Sequence, residues 1–210
     1  MKGETLTSPG RNEHPSILRT RRSVRCFKSD PVSDSVIDLI LESATFAPST
    51  HNNQPWRFAV ITTDTARYRL IEAIRVQFRT TMGADSASGE DIATRLNKMT
   101  QRTLNAQVVI ILCMDKSSIK AQTDEPRRQA ARTMAIQSVA LAGLQLLLAA
   151  HAEGLGGTWI CWPLYAQESI RECIDLSLEW EPQAMFFLGY PDEIPPIPER
   201  LPLDQIRVIR

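Results

Sequence analysis

Residues 21–27 read Arg-Arg-Ser-Val-Arg-Cys-Phe, and they place three guanidinium groups and one hydroxyl within five positions. Guanidinium groups bind phosphate oxygens in a bidentate manner, so this spacing predicts a phosphate-binding segment. If the segment is extended, Arg21, Ser23 and Arg25 share one side of it and point toward a single anion. The competing interpretation is a solvated basic turn, which is what most isolated charge runs are.

A second polar motif follows the first long predicted helix. Ser33 is a candidate N-cap, apolar residues recur at helical spacing from Val36 to Ala47, and Pro48 ends the helix. Residues 47–56 then read Ala-Pro-Ser-Thr-His-Asn-Asn-Gln-Pro-Trp, which predicts a polar loop. A third motif, Gly-Leu-Gly-Gly-Thr-Trp-Ile at residues 154–160, opens a later strand.

Hydrophobic periodicity predicts alternating helices and strands through the rest of the chain. The predicted strands are 57–62, 108–114, 158–162 and 183–190, and the predicted helices are 65–82, 91–104, 127–152 and 167–176. The helix over 127–152 is apolar around most of its circumference, which is typical of a central or interface helix. Residues 83–90 are rich in Gly, Ala, Ser and Asp, and we expect a surface loop there that covers a site.

The C-terminal arm combines two patterns. Pro191–Pro202 contains five prolines, which exclude helix and the interior of a sheet. Asp204–Ile209 then alternates polar and apolar residues, as an edge strand does. We therefore expect this strand to pair with a sheet in another subunit.

The overall composition is that of a globular protein, with 43% hydrophobic and 23% charged residues in 210. We expect one domain over residues 14–210 behind a flexible tail at residues 1–13. The formal net charge is zero, which argues against nucleic acid and anionic membranes as partners. Four widely spaced cysteines, three histidines without metal-ligand spacing and the absence of a leader pattern predict a cytoplasmic protein with reduced thiols and no metal.

Together the three motifs resemble the nitroreductase family of FMN-dependent oxidoreductases, in order from about Pro15 to the C-terminus. The chain is most similar to the reductase domain fused to the ligase of bacterial deazaflavin-cofactor biosynthesis, through Trp180-Glu181-Pro182 and Gly189-Tyr190. The resemblance implies an α+β fold with three layers, in which a mixed sheet is flanked by helices. It also implies an intertwined homodimer with C-terminal strand exchange and two flavins bound across the interface.

The same resemblance implies which residues bind FMN. Those expected to hold the phosphate and the pyrimidine side of the ring are Arg21, Arg22, Ser23 and Arg25, with Arg200 as a second contact to the phosphate. Those expected near the ring are Arg102 and the backbone at Cys161 and Trp162. Those expected from the partner subunit are Pro48, Ser49, Thr50 and Asn52. His51 and Trp162 would line the substrate pocket.

The implied function is hydride transfer from NADH or NADPH to a small nitroaromatic, quinone or other conjugated acceptor by a ping-pong mechanism. A flavin carries the redox chemistry itself, so the protein needs no acid–base pair, triad or metal. Two alternatives stay open: a reductase of a deazaflavin-cofactor precursor and a non-catalytic flavin-binding module. NADH and NADPH are not distinguished, because no GxGxxG fingerprint occurs.

Overall fold

The computed structural model describes residues 16–84 and 89–210. The helices are α1 (Ser16–Thr20), α2 (Asp34–Thr45), α3 (Asp64–Ala84), α4 (Gly89–Asn105), α5 (Glu125–Ala152), α6 (Gln167–Cys173) and α7 (Leu203–Ile206). The strands are β1 (Trp56–Ile61), β2 (Val108–Asp115), β3 (Gly156–Ile160) and β4 (Trp180–Gly189). The tail predicted at residues 1–13 lies outside the described residues.

The four strands form one sheet in the order β1-β2-β4-β3, and each neighbouring pair is antiparallel. Every residue of β2 is buried, because helices cover both faces of the sheet. This explains why β2 reads as an uninterrupted apolar run. The predicted α+β fold, with a sheet flanked by helices, is confirmed. A parallel pairing joins Ser23 to Gly157 at the edge beside β3.

The side chains of β2 alternate between two separate cores. Ile110 and Leu112 face a core that includes buried residues of α2 and α5. Val109 and Ile111 face a second core that includes buried residues of α3, α4 and α6. The molecule therefore has three layers, with α2 and α5 on one face of the sheet and α3, α4 and α6 on the opposite face.

Helix α5 is defined at both ends by its own sequence. At the start, the Asp124 carboxylate accepts a hydrogen bond from the backbone N–H of Arg127 at 2.9 Å. At the end, Gly154 adopts a φ of +77°, and Leu155 N donates to Ala150 O at 2.8 Å. The helix is long and apolar enough to cross a bilayer, but 44% of its most apolar window is buried and it packs on the sheet as a core helix.

Two predictions about the surface need correction. The loop predicted over residues 83–90 is shorter than expected, because α3 continues to Ala84 and α4 begins at Gly89. The residues between them lie outside the described part of the chain, so their role as a cover stays a prediction. The edge strand predicted over Asp204–Ile209 is absent from the described chain, and α7 forms there instead. A strand needs a neighbour for its backbone groups, and residues 204–209 have none among the described residues. The pairing of this segment with another subunit stays a prediction.

Helix α5 approaches the sheet closely at one glycine. A Cβ atom on Gly143 would lie 2.3 Å from a ring carbon of Trp159 and 3.0 Å from side-chain atoms of Leu112 and Phe186. The Trp159 and Phe186 rings pack edge to face with their centroids 5.0 Å apart. Gly143 therefore sets the distance between the helix and β3.

We predict that Gly143→Ala destabilises the fold, because the added methyl group must displace the Trp159 ring. The expected loss is about 1–3 kcal/mol in the free energy of unfolding, the usual cost of overpacking a core. Chemical denaturation monitored by tryptophan fluorescence measures it. Gly89→Ala is the matched control, since a Cβ there has no atom within 4 Å. Equal stability of both variants would contradict the prediction.

Candidate functional site

The arginine segment, residues 21–27, lies along the edge of the sheet beside β3. Ser23 bridges Gly157 in parallel, and Val24 N donates to Gly157 O at 3.1 Å. A Cβ atom on Gly156 would lie 2.7 Å from the Val24 side chain. Glycine at position 156 therefore allows the segment to reach the strand. The arginine motif and the glycine-rich motif form one structural unit.

The end of the arginine segment is held by the end of β4 and by residues 191–202, which we call the proline arm. Lys28 N donates to Tyr190 O at 2.9 Å. The Glu193 carboxylate accepts hydrogen bonds from the backbone N–H groups of Arg25 at 2.6 Å and Cys26 at 3.1 Å. The bond from Arg25 is the largest of the causes that lower the pKa of Glu193. These contacts fix the backbone of the segment before any ligand binds.

A cavity of about 200 Å³ lies between the arginine segment, the end of α5 and the proline arm. Its cationic wall consists of Arg21 and Arg22, with His151 beside them. The His151 Nε2 atom lies 2.8 Å from the Thr20 hydroxyl. We call this space the arginine cavity.

The arginine cavity contains guanidinium groups that have no carboxylate partner among the described ion pairs. None of the ion pairs among the described residues involves Arg21, Arg22 or Arg200. Burial, followed by the charges of Arg22 and Arg200, lowers the pKa of Arg21. Burial and the charges of Arg21 and Arg22 likewise lower the pKa of His151. Glu193 lies in the wall, but its carboxylate is bonded to backbone amides. An anion in the cavity would be stabilised by all of these cations.

The second motif forms a loop with a strained backbone. His51, Asn52 and Gln54 have φ values of 51°, 56° and 47°, in the left-handed region. Asparagine tolerates this region, but histidine and glutamine adopt it at a cost on the order of 1 kcal/mol each. Strain of this kind persists where the surroundings hold it, and it clusters at functional sites. We call residues 49–54 the left-handed loop.

Contacts from two directions hold the left-handed loop. Thr50 N donates to Ser138 Oγ of α5 at 3.2 Å. Arg57 donates to Gln54 O at 3.1 Å and pairs with the Asp115 carboxylate at 2.6 Å. The loop is therefore attached both to the helix and to the end of β2, which explains how it retains its strained conformation.

The left-handed loop contacts the middle of α5, whereas the arginine cavity lies at the C-terminal end of this helix. The loop contacts Ser138, whereas the arginine segment contacts His151 through Thr20. Ser138 and His151 are 13 positions apart in the sequence, which corresponds to about 20 Å along a helix. A small ligand in the arginine cavity is therefore remote from the left-handed loop of the same chain.

Comparison with known proteins identifies this arrangement. A sequence model of the nitroreductase family matches residues 18–190, most of the chain. The chain belongs to the nitroreductase family. YfhC of Bacillus subtilis, named as an NAD(P)H nitroreductase, is 29% identical over 187 residues, which are 89% of each chain. The 5,6-dimethylbenzimidazole synthase of Rhodospirillum rubrum is 27% identical over 186 residues, 88% of this chain and 84% of the other.

Solved nitroreductase-fold structures agree with the fold described above. A crystal structure of a nitroreductase from Desulfovibrio desulfuricans in complex with FMN has a TM-score of 0.72 and 25% identity, over 94% of this chain and 98% of that chain. A BluB-like flavoprotein from Clostridium difficile has a TM-score of 0.77 and 24% identity, over 93% and 97% of the two chains. The predicted nitroreductase fold is confirmed.

The structure distributes the expected nitroreductase site residues unequally. Arg21 and Arg22 share the arginine cavity, because the chain becomes extended only at Ser23 and the Arg22 guanidinium donates back to Arg19 O at 2.6 Å. Ser23 and Arg25 are not among the residues that line this cavity, and Arg25 is exposed and donates to Ser23 O at 3.2 Å.

The residues expected near a nitroreductase flavin ring lie farther away. Cys161 and Trp162 follow the end of β3, four and five positions beyond Gly157, and four positions span about 13 Å in a strand. Arg102 is half-buried in the last turn of α4, and no described hydrogen bond or ion pair joins its side chain to the arginine cavity. Arg200 is exposed on the proline arm, and its charge acts on Arg21.

Sequence reasoning missed His151, a titratable residue of the arginine cavity. The available signal was an imidazole at the end of the longest helix, three positions before the glycine-rich motif. Its role could not be predicted because the arginine segment lies 130 positions earlier and reaches it only through the fold. The Thr20 contact and the electrostatic effect of Arg21 and Arg22 place it in the cavity.

The Trp180–Pro182 segment has a structural role here. The Glu181 carboxylate accepts two hydrogen bonds from Arg132 of α5, at 2.6 and 3.0 Å, a third from Gln183 at 2.7 Å and a fourth from Gln167 at 3.2 Å. Burial of Glu181 disfavours its charge, but these bonds outweigh that effect and lower its pKa. The segment therefore attaches the first half of α5 to the start of β4.

We predict that His51→Gly increases the free energy of unfolding by about 0.5–1 kcal/mol, because glycine adopts a positive φ without strain. Asn53→Gly is the matched control, since Asn53 has a φ of −70° in the same loop. Glycine gives no conformational advantage there and is expected to lower stability. Thermal unfolding followed by circular dichroism measures both changes. A stability decrease in His51→Gly as large as that of the control would contradict the prediction.

Proposed function

We propose that this nitroreductase-family chain is an FMN-dependent oxidoreductase that takes reducing equivalents from NADH or NADPH and delivers them to a small conjugated acceptor. The observation that carries the proposal is the arginine cavity, in which Arg21 and Arg22 line the wall and none of the described ion pairs involves either residue. FMN presents a phosphate dianion, and guanidinium groups bind such an anion by charge-assisted hydrogen bonds.

The cavity fits the phosphate end of FMN in charge and in construction. The lowered pKa of Arg21 reflects burial and unrelieved repulsion from Arg22 and Arg200, and a bound phosphate would relieve this repulsion. Arg200 reaches this cluster from the proline arm and would supply the second contact. The backbone of residues 154–157 lines the same cavity. Ser23 and Arg25 would meet the pyrimidine side of the ring.

The remaining FMN contacts are proposed at the far end of β3 and from a partner subunit. The backbone at Cys161 and Trp162, with Arg102, would lie near the ring. Pro48, Ser49, Thr50 and Asn52 are remote from the arginine cavity of their own chain, because α5 separates the two half-sites. A homodimer in which each chain supplies the left-handed loop to the other chain's cavity would complete both sites.

The exposed apolar surface supports such a homodimer. Leu141 and Leu144 of α5 are exposed by 43% and 47%, and Ile194 and Ile197 of the proline arm by 96% and 79%. Apolar surface of this extent marks interaction sites in soluble proteins. Strand exchange by the arm, which forms no strand within the described chain, belongs to the same proposal.

The protein's part in the proposed reaction is positioning and electrostatics. FMN supplies the redox chemistry, since it accepts a hydride from a reduced nicotinamide and passes electrons to an acceptor. Arg25 or Arg102 would place positive charge beside N1 and O2 of the ring, where negative charge develops on reduction. An open ring face beside His51 and Trp162 would admit donor and acceptor in turn, which gives ping-pong kinetics. The alternative of a deazaflavin-precursor reductase gains no separate support, since Glu181 is engaged by Arg132.

Complementation between two variants tests this proposal. Arg21→Ala removes a cavity cation, and Asn52→Gly removes a side chain while keeping the left-handed backbone. We expect either homodimer to purify with little flavin. A heterodimer of the two variants has one intact site and is expected to retain about one FMN, because the sites are related by two-fold symmetry. The flavin absorption of separately tagged, co-expressed chains measures the content.

Arg19→Ala is the matched control for Arg21→Ala, because Arg19 is an exposed arginine at the end of α1, two positions before Arg21. It is expected to retain FMN. Full flavin content in Arg21→Ala would contradict the phosphate site. A flavin-free heterodimer would contradict the exchange of half-sites between chains but leave the phosphate site intact. A flavin-loaded enzyme that neither NADH nor NADPH reduces would contradict the proposed electron donors.

The affinity for FMN is predicted to depend on the protonation of His151. Arg21 and Arg22 help lower its pKa, and bound phosphate would offset their charges and raise it. Protonated His151 therefore contributes affinity that is complete below the pKa of the FMN-free protein and lost as pH rises through the higher pKa of the complex. We expect His151→Gln to weaken FMN binding about fivefold near pH 5.5 and hardly at all near pH 8.5.

Quenching of FMN fluorescence by the apoprotein measures both dissociation constants across this pH range. The phosphate of FMN titrates in the same range, but it does so equally with both proteins, so the ratio of the two constants isolates His151. A ratio that stays constant with pH would contradict the prediction.

A further inference from the structure

We propose that a cavity beside the left-handed loop binds electron acceptors that carry an anionic group, and that Lys120 selects them. The proposal rests on the proposed function, because an acceptor must meet the redox site. It adds the chemical class of the acceptor and the residue that recognises it. The class is a single conjugated ring bearing a carboxylate or sulfonate.

The cavity has a volume of about 290 Å³ and lies between the left-handed loop, residues 118–122 and the first half of α5. Its apolar lining includes the side chains of Ala131, Met134, Ala135 and Ile119. Because positions 131, 134 and 135 share one face of the helix, they form a continuous apolar floor. A cavity of about 150 Å³ accommodates benzene, so this one is large enough for a substituted ring.

None of the residues that line this cavity is an aspartate or glutamate. The polar lining of the cavity consists of Thr50, His51, Asn53, Ser118, Gln122 and Ser138. Lys120 is the lysine among the lining residues and contributes an ammonium group. A ring on the apolar floor would place a negative substituent within the field of this lysine. An acceptor with a positive substituent would meet no opposite charge there.

The arginines at the start of α5 differ from Lys120 in having their own carboxylates. Arg127 pairs with Asp124, Arg128 with Glu125 at 2.8 Å, and Arg132 with Glu181 at 2.6 Å. Lys120 has no ion pair among those of the described residues. Its ammonium group is therefore available to a ligand, whereas the arginine charges at the start of α5 are already compensated.

The position of the cavity connects it to the redox site. Thr50 and His51 line it and belong to the left-handed loop, which is proposed to approach the flavin held by the partner's arginine cavity. The strained φ of His51 shows that the surroundings impose this loop conformation. An acceptor lying on the floor of the cavity would thus be adjacent to the half-site that the loop completes.

Lys116 provides a matched control in the same segment. It is also a lysine without an ion pair among the described residues. Both lysines line a neighbouring surface depression, but only Lys120 of the two also lines this cavity. Removing either charge changes the net charge of the protein equally. A difference between the two variants therefore reports the local position of the charge and excludes a general electrostatic effect.

The test compares wild type, Lys120→Gln and Lys116→Gln with nitrobenzene and 4-nitrobenzoate, two acceptors that differ by one carboxylate. We expect the kcat/KM ratio of 4-nitrobenzoate to nitrobenzene to fall about two- to fivefold in Lys120→Gln, mainly through KM, the range for one exposed charge contact. The ratio is expected to stay unchanged in Lys116→Gln. Calorimetric titration of the oxidised holoenzyme with 4-nitrobenzoate should show the same loss of affinity.

The outcomes separate this proposal from the proposed function. If wild type reduces nitrobenzene and the ratio is the same in all three proteins, the assignment of Lys120 is overturned while the oxidoreductase remains. An equal fall in both variants overturns it as well, because the effect is then one of net charge. If the flavin-loaded wild type reduces neither acceptor and calorimetry detects no 4-nitrobenzoate binding, the proposed acceptor class and this proposal fail together.

Discussion

The site depends on the docking of the arginine segment onto β3. Two hydrogen-bonding groups of Gly157 and the missing side chain of Gly156 let the backbone of Ser23 and Val24 run along the sheet edge. A chain segment crowded with like charges gains nothing from packing those charges together, so its conformation is set by the backbone and by Val24. The Glu193 carboxylate accepts hydrogen bonds from the backbone N–H groups of the next two residues, Arg25 and Cys26. The pairing with β3 therefore determines where the guanidinium groups of Arg21 and Arg22 come together.

Helix α5 relates the two halves of the site. Its buried face packs on the sheet through Gly143 and Trp159. Its middle contacts the left-handed loop at Ser138, and its C-terminal end lies beside the arginine segment at His151. Because a helix is stiff, the two half-sites remain about 20 Å apart in one chain. This separation is the reason for proposing that a second chain supplies the other half of the site. The exposed Leu141 and Leu144 on α5 are consistent with that proposal.

Most of the fold could be predicted from sequence because its elements carry strong local patterns. The run in β2, the periodicity of α2 and the Asp124 and Gly154 ends of α5 each place an element within three residues. Local pattern did not give the correct structure of Asp204–Ile209, where it predicts an edge strand and α7 forms instead. The alternation in this segment is a real pattern, but a strand exists only when a neighbour accepts its hydrogen bonds, and residues 204–209 are exposed and pair with no strand of the described chain.

The sequence by itself determined the nitroreductase motifs, the α+β class and the candidate phosphate ligands Arg21 and Arg22, because these depend on residue type and short spacings. Only the tertiary structure decided which charges share a cavity. It brought in His151 from the end of α5, left Arg25 outside and imposed left-handed φ values on His51 and Gln54. The physical reason is that electrostatic proximity and backbone strain arise between residues distant in the chain, and local sequence does not encode the distances between them.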